Sequence, residues 1–180
     1  AFVKPSVSRE SEAFYAMLRA VGKQRAEWLS RQAAVEVAAR VEGWRGIIDD
    51  PPESAEFPQQ AAVAQAALAR AELGLSSVAP LFLSPDKEVG RLVVLEGTAR
   101  RCVPIVTNPD DDATELPGGV ERYFELEVFT PDSQSLPVVC CVTELPPGFP
   151  RGDAIRESVR VAGFFFKLWR YRSREAAAEA

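Results

Sequence analysis

The chain has 180 residues, which suits one domain of ordinary size or a small domain with a helical extension. Hydrophobic residues make up 47% and charged residues 26%, a globular balance that excludes a disordered or fibrous chain; no apolar run approaches the roughly 20 residues of a membrane helix. A formal charge of −5 repels phosphate backbones and counts against a nucleic-acid role, and the absence of histidine excludes serine–histidine and cysteine–histidine nucleophile systems.

No basic start followed by an apolar stretch is present, so no signal peptide is visible. The chain begins at Ala1 without an initiator methionine and stops in REAAAEA, so it is expected to be a piece of a longer protein, with anchors and signals lying outside it.

Residues 8–42 set Phe14, Met17, Leu18, Val21, Trp28, Leu29 and Val35 at steps of three and four, the stripe of an amphipathic helix. Ser8 is placed to cap it, and Glu10 and Glu12 suit the positive end of its dipole. Gly22 predicts a bend, and Gly43 and Gly46 predict the end. The proline- and acid-rich IIDDPPESAEFP is a connector near 46–57. A second helix, PQQAAVAQAALARAELG, opens with Pro58 and closes at Gly74, and its alanine-rich side permits close packing.

Past Pro80 the alphabet turns to valine, phenylalanine, glycine and proline, the residues of extended chain. The first predicted strand, GRLVVLEGTARRCVPIV, carries Gly97 as a bulge or bend. The second, RYFELEVFT, alternates cleanly, with Phe124, Leu126 and Val128 on one face and Tyr123, Glu125, Glu127 and Phe129 on the other. The turn PDSQSLP leads to VVCCVT, and ELPPGFPRGDAIRES is an irregular connection with one helical turn. Neighbouring Cys140 and Cys141 face opposite sides of their strand. With Cys102 they read as buried free thiols, a bridge from Cys102 to one of the pair being the alternative; their spacing suits no metal, and no cofactor is expected.

In the last segment, SVRVAGFFFKLWRYR, unbroken alternation from Val159 and Val161 would send Phe165 and Lys167 to the core, and a buried unpaired lysine is costly. A bulge or turn at Gly163 is therefore expected, which points Phe164, Phe166 and Leu168 inward and sets Phe165, Lys167, Trp169 and Tyr171 on an outer face. Those rings need a cover and the N-terminal helices need a partner for their stripe, so one contact is expected to satisfy both.

The stretches GRLVVLEGTARR, YFELEVF, PVVCCV and ESVRVAGFFFK, with valine-rich runs at 90–97 and 158–163 that each end in glycine, are similar to the oligonucleotide/oligosaccharide-binding (OB) fold. They resemble in particular the tRNA-anticodon-binding-like OB domains of uncharacterised bacterial proteins, and the chain also resembles soluble modules of large membrane-anchored bacterial proteins. The likeness covers residues 78–173 and leaves 1–77 as a helical extension and 174–180 as a tail. It implies an α+β fold, a small five-stranded Greek-key β-barrel packed against N-terminal helices, with the ligand groove across the second and third strands. Mapped onto this chain, the groove takes in Tyr123, Glu125, Glu127 and Phe129 with Arg100, Arg101 and Arg122 nearby; Phe165, Lys167, Trp169 and Tyr171 complete the candidate binding residues. Glu125, Glu127 and the run Asp110 to Asp112 set carboxylates where phosphates would lie.

Other motifs carry less. Asp110, Asp112, Thr114 and Glu121 fall at EF-hand positions, but Glu115 stands where glycine is needed and Pro117 follows, so a solvated loop is expected. The RGD tripeptide at Arg151 reads as a turn with Asp153 capping a short helix, and Arg100 and Arg101 read as an exposed strand edge that discourages aggregation. These readings converge on a non-catalytic binding or interaction module of a larger bacterial protein, outside the cytoplasm, whose partner is a protein or an uncharged ligand. The alternative is a single-stranded nucleic-acid or anionic-ligand binder that stacks bases on Tyr123, Trp169 and Tyr171. A hydrolase built on Glu125 and Glu127, about 7 Å apart on one strand face, comes third.

Overall fold

The computed structural model describes residues 9–50, 57–106, 120 and 122–168. The amphipathic stretch at its start forms two helices rather than one, α1 (Arg9–Gly22) and α2 (Ala26–Asp49). Gly22 marks the break, and a Cβ there would stand 2.6 Å from the Thr143 Oγ1, so the chain turns where α1 abuts the far end of the sheet. Gly43 and Gly46 do not end α2, which runs through both. Trp44 between them is buried against Ala64 and Ala67 of α3 (Phe57–Ala71), and that packing offsets a helix penalty of about 1 kcal/mol per glycine. The buried stripe of α2 is Leu29, Ala33, Val37 and Trp44, whereas Trp28 and Val35, placed on it by spacing, are exposed.

Helix α3 closes in a Schellman turn. Leu75 N–H donates to the Arg70 carbonyl (3.1 Å), Gly74 N–H donates to the Ala71 carbonyl (2.9 Å), and Gly74 takes the left-handed φ of +66° that the motif needs. Two short helices follow where extended chain is expected past Pro80, α4 (Ala79–Leu83) and α5 (Pro85–Glu88), each with a proline in its first turn.

Four strands then form an antiparallel sheet: β1 (Leu92–Val106), β2 (Arg122–Phe129), β3 (Val138–Val142) and β4 (Glu157–Phe164). Their spatial order, β3-β2-β1-β4, is that of a Greek key, but the sheet is open, so the described residues form a mixed α+β architecture and not a closed barrel. Strand β1 serves both neighbours. Its residues 92–99 pair with β4 and 98–106 with β2, and the one register shift against β2 falls at Arg100, between Ala99 and Arg101, rather than at Gly97.

Since β2 stops opposite Thr98, the first half of β1 has no strand on that side among the described residues. Polar groups near the end of α3 fill it: Ser76 N–H donates to the Val94 carbonyl (2.8 Å), Val94 N–H donates to Ser76 Oγ (3.1 Å), and Arg70 Nη2 donates to the Glu96 carbonyl (3.2 Å). Ser76 and Arg70 are buried for this reason, at backbone groups that would otherwise go unpaired.

One sheet face carries the long helices. Leu92, Val94 and Ala162 pack against Leu29 and Ala33 of α2, while Tyr123, Ile105 and Cys141 pack against Phe14, Tyr15 and Leu18 of α1. On the other face Ala99, Cys102, Phe124, Leu126 and Val128 are closed over by Leu145, Phe149 and Ile155 of the 143–156 connection. Further along, Val78 and Leu81 meet Leu95, Val138 and Phe165. Cys140 joins the second face and Cys141 the first, as alternation predicts, and all three cysteines are free.

The end of β4 differs from expectation. Its ladder with β1 runs from Ala99↔Glu157 to Leu92↔Phe164 without a shift, so no bulge forms at Gly163. Phe165, expected outside, packs in the Leu81 cluster; Phe164 and Leu168, expected inside, are 39% and 37% exposed. The difficulty posed by Lys167 is resolved by ending the strand. Gly90 N–H donates to the Phe165 carbonyl and Phe165 N–H to the Arg91 carbonyl (both 2.8 Å), after which Lys167 reaches Glu10 of α1 in an exposed ion pair. The Phe166 ring meets Phe14 edge-on at 5.5 Å, so α1 covers part of this segment. Trp169 and Tyr171, like the acidic run Asp110 to Asp112, lie outside the described residues. No helix among the described residues is long and apolar enough to cross a membrane.

Candidate functional site

One end of the groove mapped by resemblance is covered by α1. Tyr123 is buried, with the rings of Phe14 and Tyr15 edge-on at 5.7 and 6.4 Å, and its hydroxyl donates to Glu125 Oε1 (3.3 Å). Burial first, and then the Glu125 carboxylate, hold that hydroxyl far above its ordinary ionisation range. A ring so enclosed offers no face on which a base could stack.

Arg101 lies in the half of β1 that pairs with β2, and on its other side the Gly152–Cys102 bridge and the Ile155 N–H bond to the Arg100 carbonyl lay the 143–156 connection along the edge read from the sequence. Its Nε donates to Asp153 Oδ1 (3.0 Å) and its Nη1 to Glu127 Oε1 (3.4 Å), and the Asp153 hydrogen bond is the chief cause that raises its ionisation further. Glu127 is thereby neutralised as well. Arg100, the bulge residue of the same strand, lays its guanidinium 4.5 Å above the Phe129 ring, while its carbonyl accepts from Ile155 N–H (2.9 Å). Phe165 belongs to the core and Lys167 to Glu10. Arg122, like Arg100, has no carboxylate partner among the described residues, and unlike Arg100 it lines an open cleft.

Arg122 opens β2, and its guanidinium lies 5.5 Å from the centre of the Phe124 ring; Arg151 approaches the same ring at 5.0 Å. The RGD tripeptide explains how Arg151 gets there. Gly152, at a φ of +143°, exchanges two backbone hydrogen bonds with Cys102 (2.8 and 2.9 Å), and Asp153 holds Arg101 instead of capping a helix, so the 143–156 connection is stitched to β1. No helical turn occurs in that connection.

Around the two arginines opens a cleft of about 610 Å³, lined by Arg122, Phe124, Pro146, Pro147, Phe149 and Arg151, with Glu144 in its wall. Part of that wall is set by local sequence. Phe149 N–H donates to the Pro146 carbonyl (3.1 Å) across Pro147 and Gly148, and Gly148 has a φ of +77°, the pattern of a type II turn with proline and glycine in their preferred places. Among the described residues neither Arg122 nor Arg151 has a carboxylate partner, in contrast to Arg40, Arg45, Arg91 and Arg101. Two oriented guanidiniums beside an apolar wall can take a carboxylate or phosphate through paired N–H donors. Phe149, Pro146 and Pro147 were not foreseen as site residues. The PPG turn was their local signal, but the meeting of Arg151 with Phe124 depends on the Gly152–Cys102 bridge, which has none.

Among the described residues no group of three or more cysteine, aspartate or glutamate side chains is arranged to hold a metal ion. Burial pushes the thiols of Cys140 and Cys141 up to about 12, which leaves them protonated and poorly nucleophilic near neutral pH. Comparison of the chain with protein-family models, with curated proteins and with solved structures found no match.

Proposed function

We propose that the chain is a non-catalytic binding module with an OB-like sheet, part of a larger bacterial protein, whose partner is another protein. The observation that carries this reading is the contrast between two sets of arginines. Arg101 is neutralised by Glu127 and Asp153 within the fold, whereas Arg122 and Arg151 face an open cleft beside Pro146, Pro147 and Phe149. The OB-like part is supported by the 4-1-2-3 strand order and by a long β1 shared between two partners.

A photo-crosslinking amino acid in place of Glu144, in the cleft wall, tests the reading in the native host, with the same residue at exposed Val35 of α2 as control. Adducts to polypeptide at 144 and not at 35 are expected. A second reading, a binder of single-stranded nucleic acid or another phosphate ligand, draws on the same two guanidiniums; adducts to nucleic acid at 144 would establish it in place of the first.

A further inference from the structure

We infer that the Arg122–Arg151 cleft receives the carboxylates of an extended acidic segment of the partner protein, an inference that rests on the binding-module reading above. Both guanidiniums approach one ring, at 5.5 and 5.0 Å, and so lie within about one Debye length of each other, roughly 10 Å at 0.1 M salt. Two like charges at that separation repel, and a carboxylate seated between them relieves the repulsion while accepting paired N–H donors from either side. The seat is organised before anything binds. Phe124 is 3% exposed and fixed in the sheet, the 146–149 turn is constrained by Pro147, and Gly152 locks the base of Arg151 to β1.

The shape favours an extended peptide over a free small acid. Strand β3 pairs with β2 along one edge, and among the described residues no strand pairs with its other edge. Its sequence, VVCCV, carries neither a charge nor a proline to guard that edge. Val142, its last residue, pairs with Phe124 of the cleft, and the chain that follows, Thr143 to Pro147, lines the cleft wall, so the end of β3 lies beside the cleft. A cleft of about 610 Å³ has room for a few side chains, not for a domain. Charge decides between peptide and nucleic acid: Glu144 in the wall and a whole-chain charge of −5 oppose a long polyanion but tolerate a short acidic stretch.

The test is calorimetric titration of the full chain with a blocked hexaglutamate peptide in low salt, alongside a hexaglutamine peptide and a ten-nucleotide thymidine strand. Hexaglutamate is expected to bind and hexaglutamine not. Arg122→Gln and Arg151→Gln are each expected to weaken binding by about tenfold, and Glu144→Gln to strengthen it severalfold. Both arginines are exposed, so the variants should keep the wild-type circular dichroism spectrum; should either fail to fold, Glu144→Gln alone still decides the matter. Absence of hexaglutamate binding, or binding that none of the three changes alters, overturns the inference, as does tighter, arginine-dependent binding of the thymidine strand. Polypeptide adducts at position 144 combined with no hexaglutamate binding would reject the acidic segment and leave the binding-module reading standing.

Discussion

Gly97 of β1 lies against the backbone of Phe129 at the end of β2: a Cβ at position 97 would stand 2.3 Å from the Phe129 carbonyl oxygen and 3.2 Å from the Thr130 Cα. Here β2 leaves the sheet and heads toward α4, where Asp132 accepts from Ser77 Oγ (2.8 Å), Val78 N–H (3.0 Å) and Thr130 Oγ1 (2.8 Å). The crossing is held from both sides, so the backbone cannot step aside. Gly97→Ala is expected to lower stability by about 2 kcal/mol or more through forced displacement of packed chain. Urea denaturation measures it, and a midpoint within error of wild type would show that the two strands slide freely.

The Ser76 hydroxyl is the acceptor for Val94 N–H on the strandless side of β1. Ser76→Ala leaves that amide buried and unpaired, at a cost of about 1–2 kcal/mol. Hydrogen exchange gives the sharper readout, because the Val94 amide should lose protection while amides bonded in the β1–β2 ladder keep theirs. Equal loss across the sheet would mean that Ser76 contributes through packing alone.

A residue whose environment is set by its own neighbours in sequence can be placed from the sequence. The alternation of β2 buried Phe124, Leu126 and Val128 as expected, Cys140 and Cys141 took opposite faces, and Gly22 and Gly74 fell at a helix break and a helix stop. Where distant chain decides, the local pattern misleads. Gly43 and Gly46 read as stops because the burial of Trp44 against α3 is invisible locally. Gly163 read as a bulge because alternation threatened to bury Lys167, and neither the strand's end at Phe164 nor the partner Glu10 on α1 shows in that segment. The site divides in the same way: Arg122 could be found from its place beside an aromatic strand, whereas Arg151 becomes its companion only through the pairing of Gly152 with Cys102.

Glu88 is 4% exposed and accepts a forked pair of hydrogen bonds from Arg40, at 2.7 and 2.9 Å, with Arg91 Nε at 3.3 Å and Arg40 stacked 4.9 Å over Trp44. This ties α5 to α2. Glu88→Gln keeps the shape and removes the charge, leaving two guanidiniums facing a neutral group; a loss of about 2 kcal/mol is expected, reduced from the fully buried figure because Arg40 is partly solvated. In a double-mutant cycle with Arg40→Met, the second change should cost much less in the Glu88→Gln background than in wild type. Additive losses would show that the two side chains act independently.

The thiols of Cys140 and Cys141 are expected to make the fold less stable at high pH. Burial, helped by the neighbouring Cys141 for the first and by Glu125 for the second, raises both to about 12, against an ordinary value near 9. The folded chain therefore holds these protons more tightly than the unfolded chain. Their contribution to stability is complete below about pH 9 and is lost as the pH climbs toward 12, because the unfolded state ionises first. Urea midpoints should be level between about pH 7 and 8 and fall steadily above about pH 9. Cys140→Ala/Cys141→Ala should flatten that fall without abolishing it, since the buried Tyr123 hydroxyl is shifted in the same direction. Cys140 and Cys141 are half-buried, so it is the raised ionisation range that is expected to make iodoacetamide at about pH 8 label the native protein more slowly than the protein in urea. Rapid labelling of the native thiols, or a midpoint that holds level to about pH 11, would mean that the two sulfurs reach solvent in the folded state.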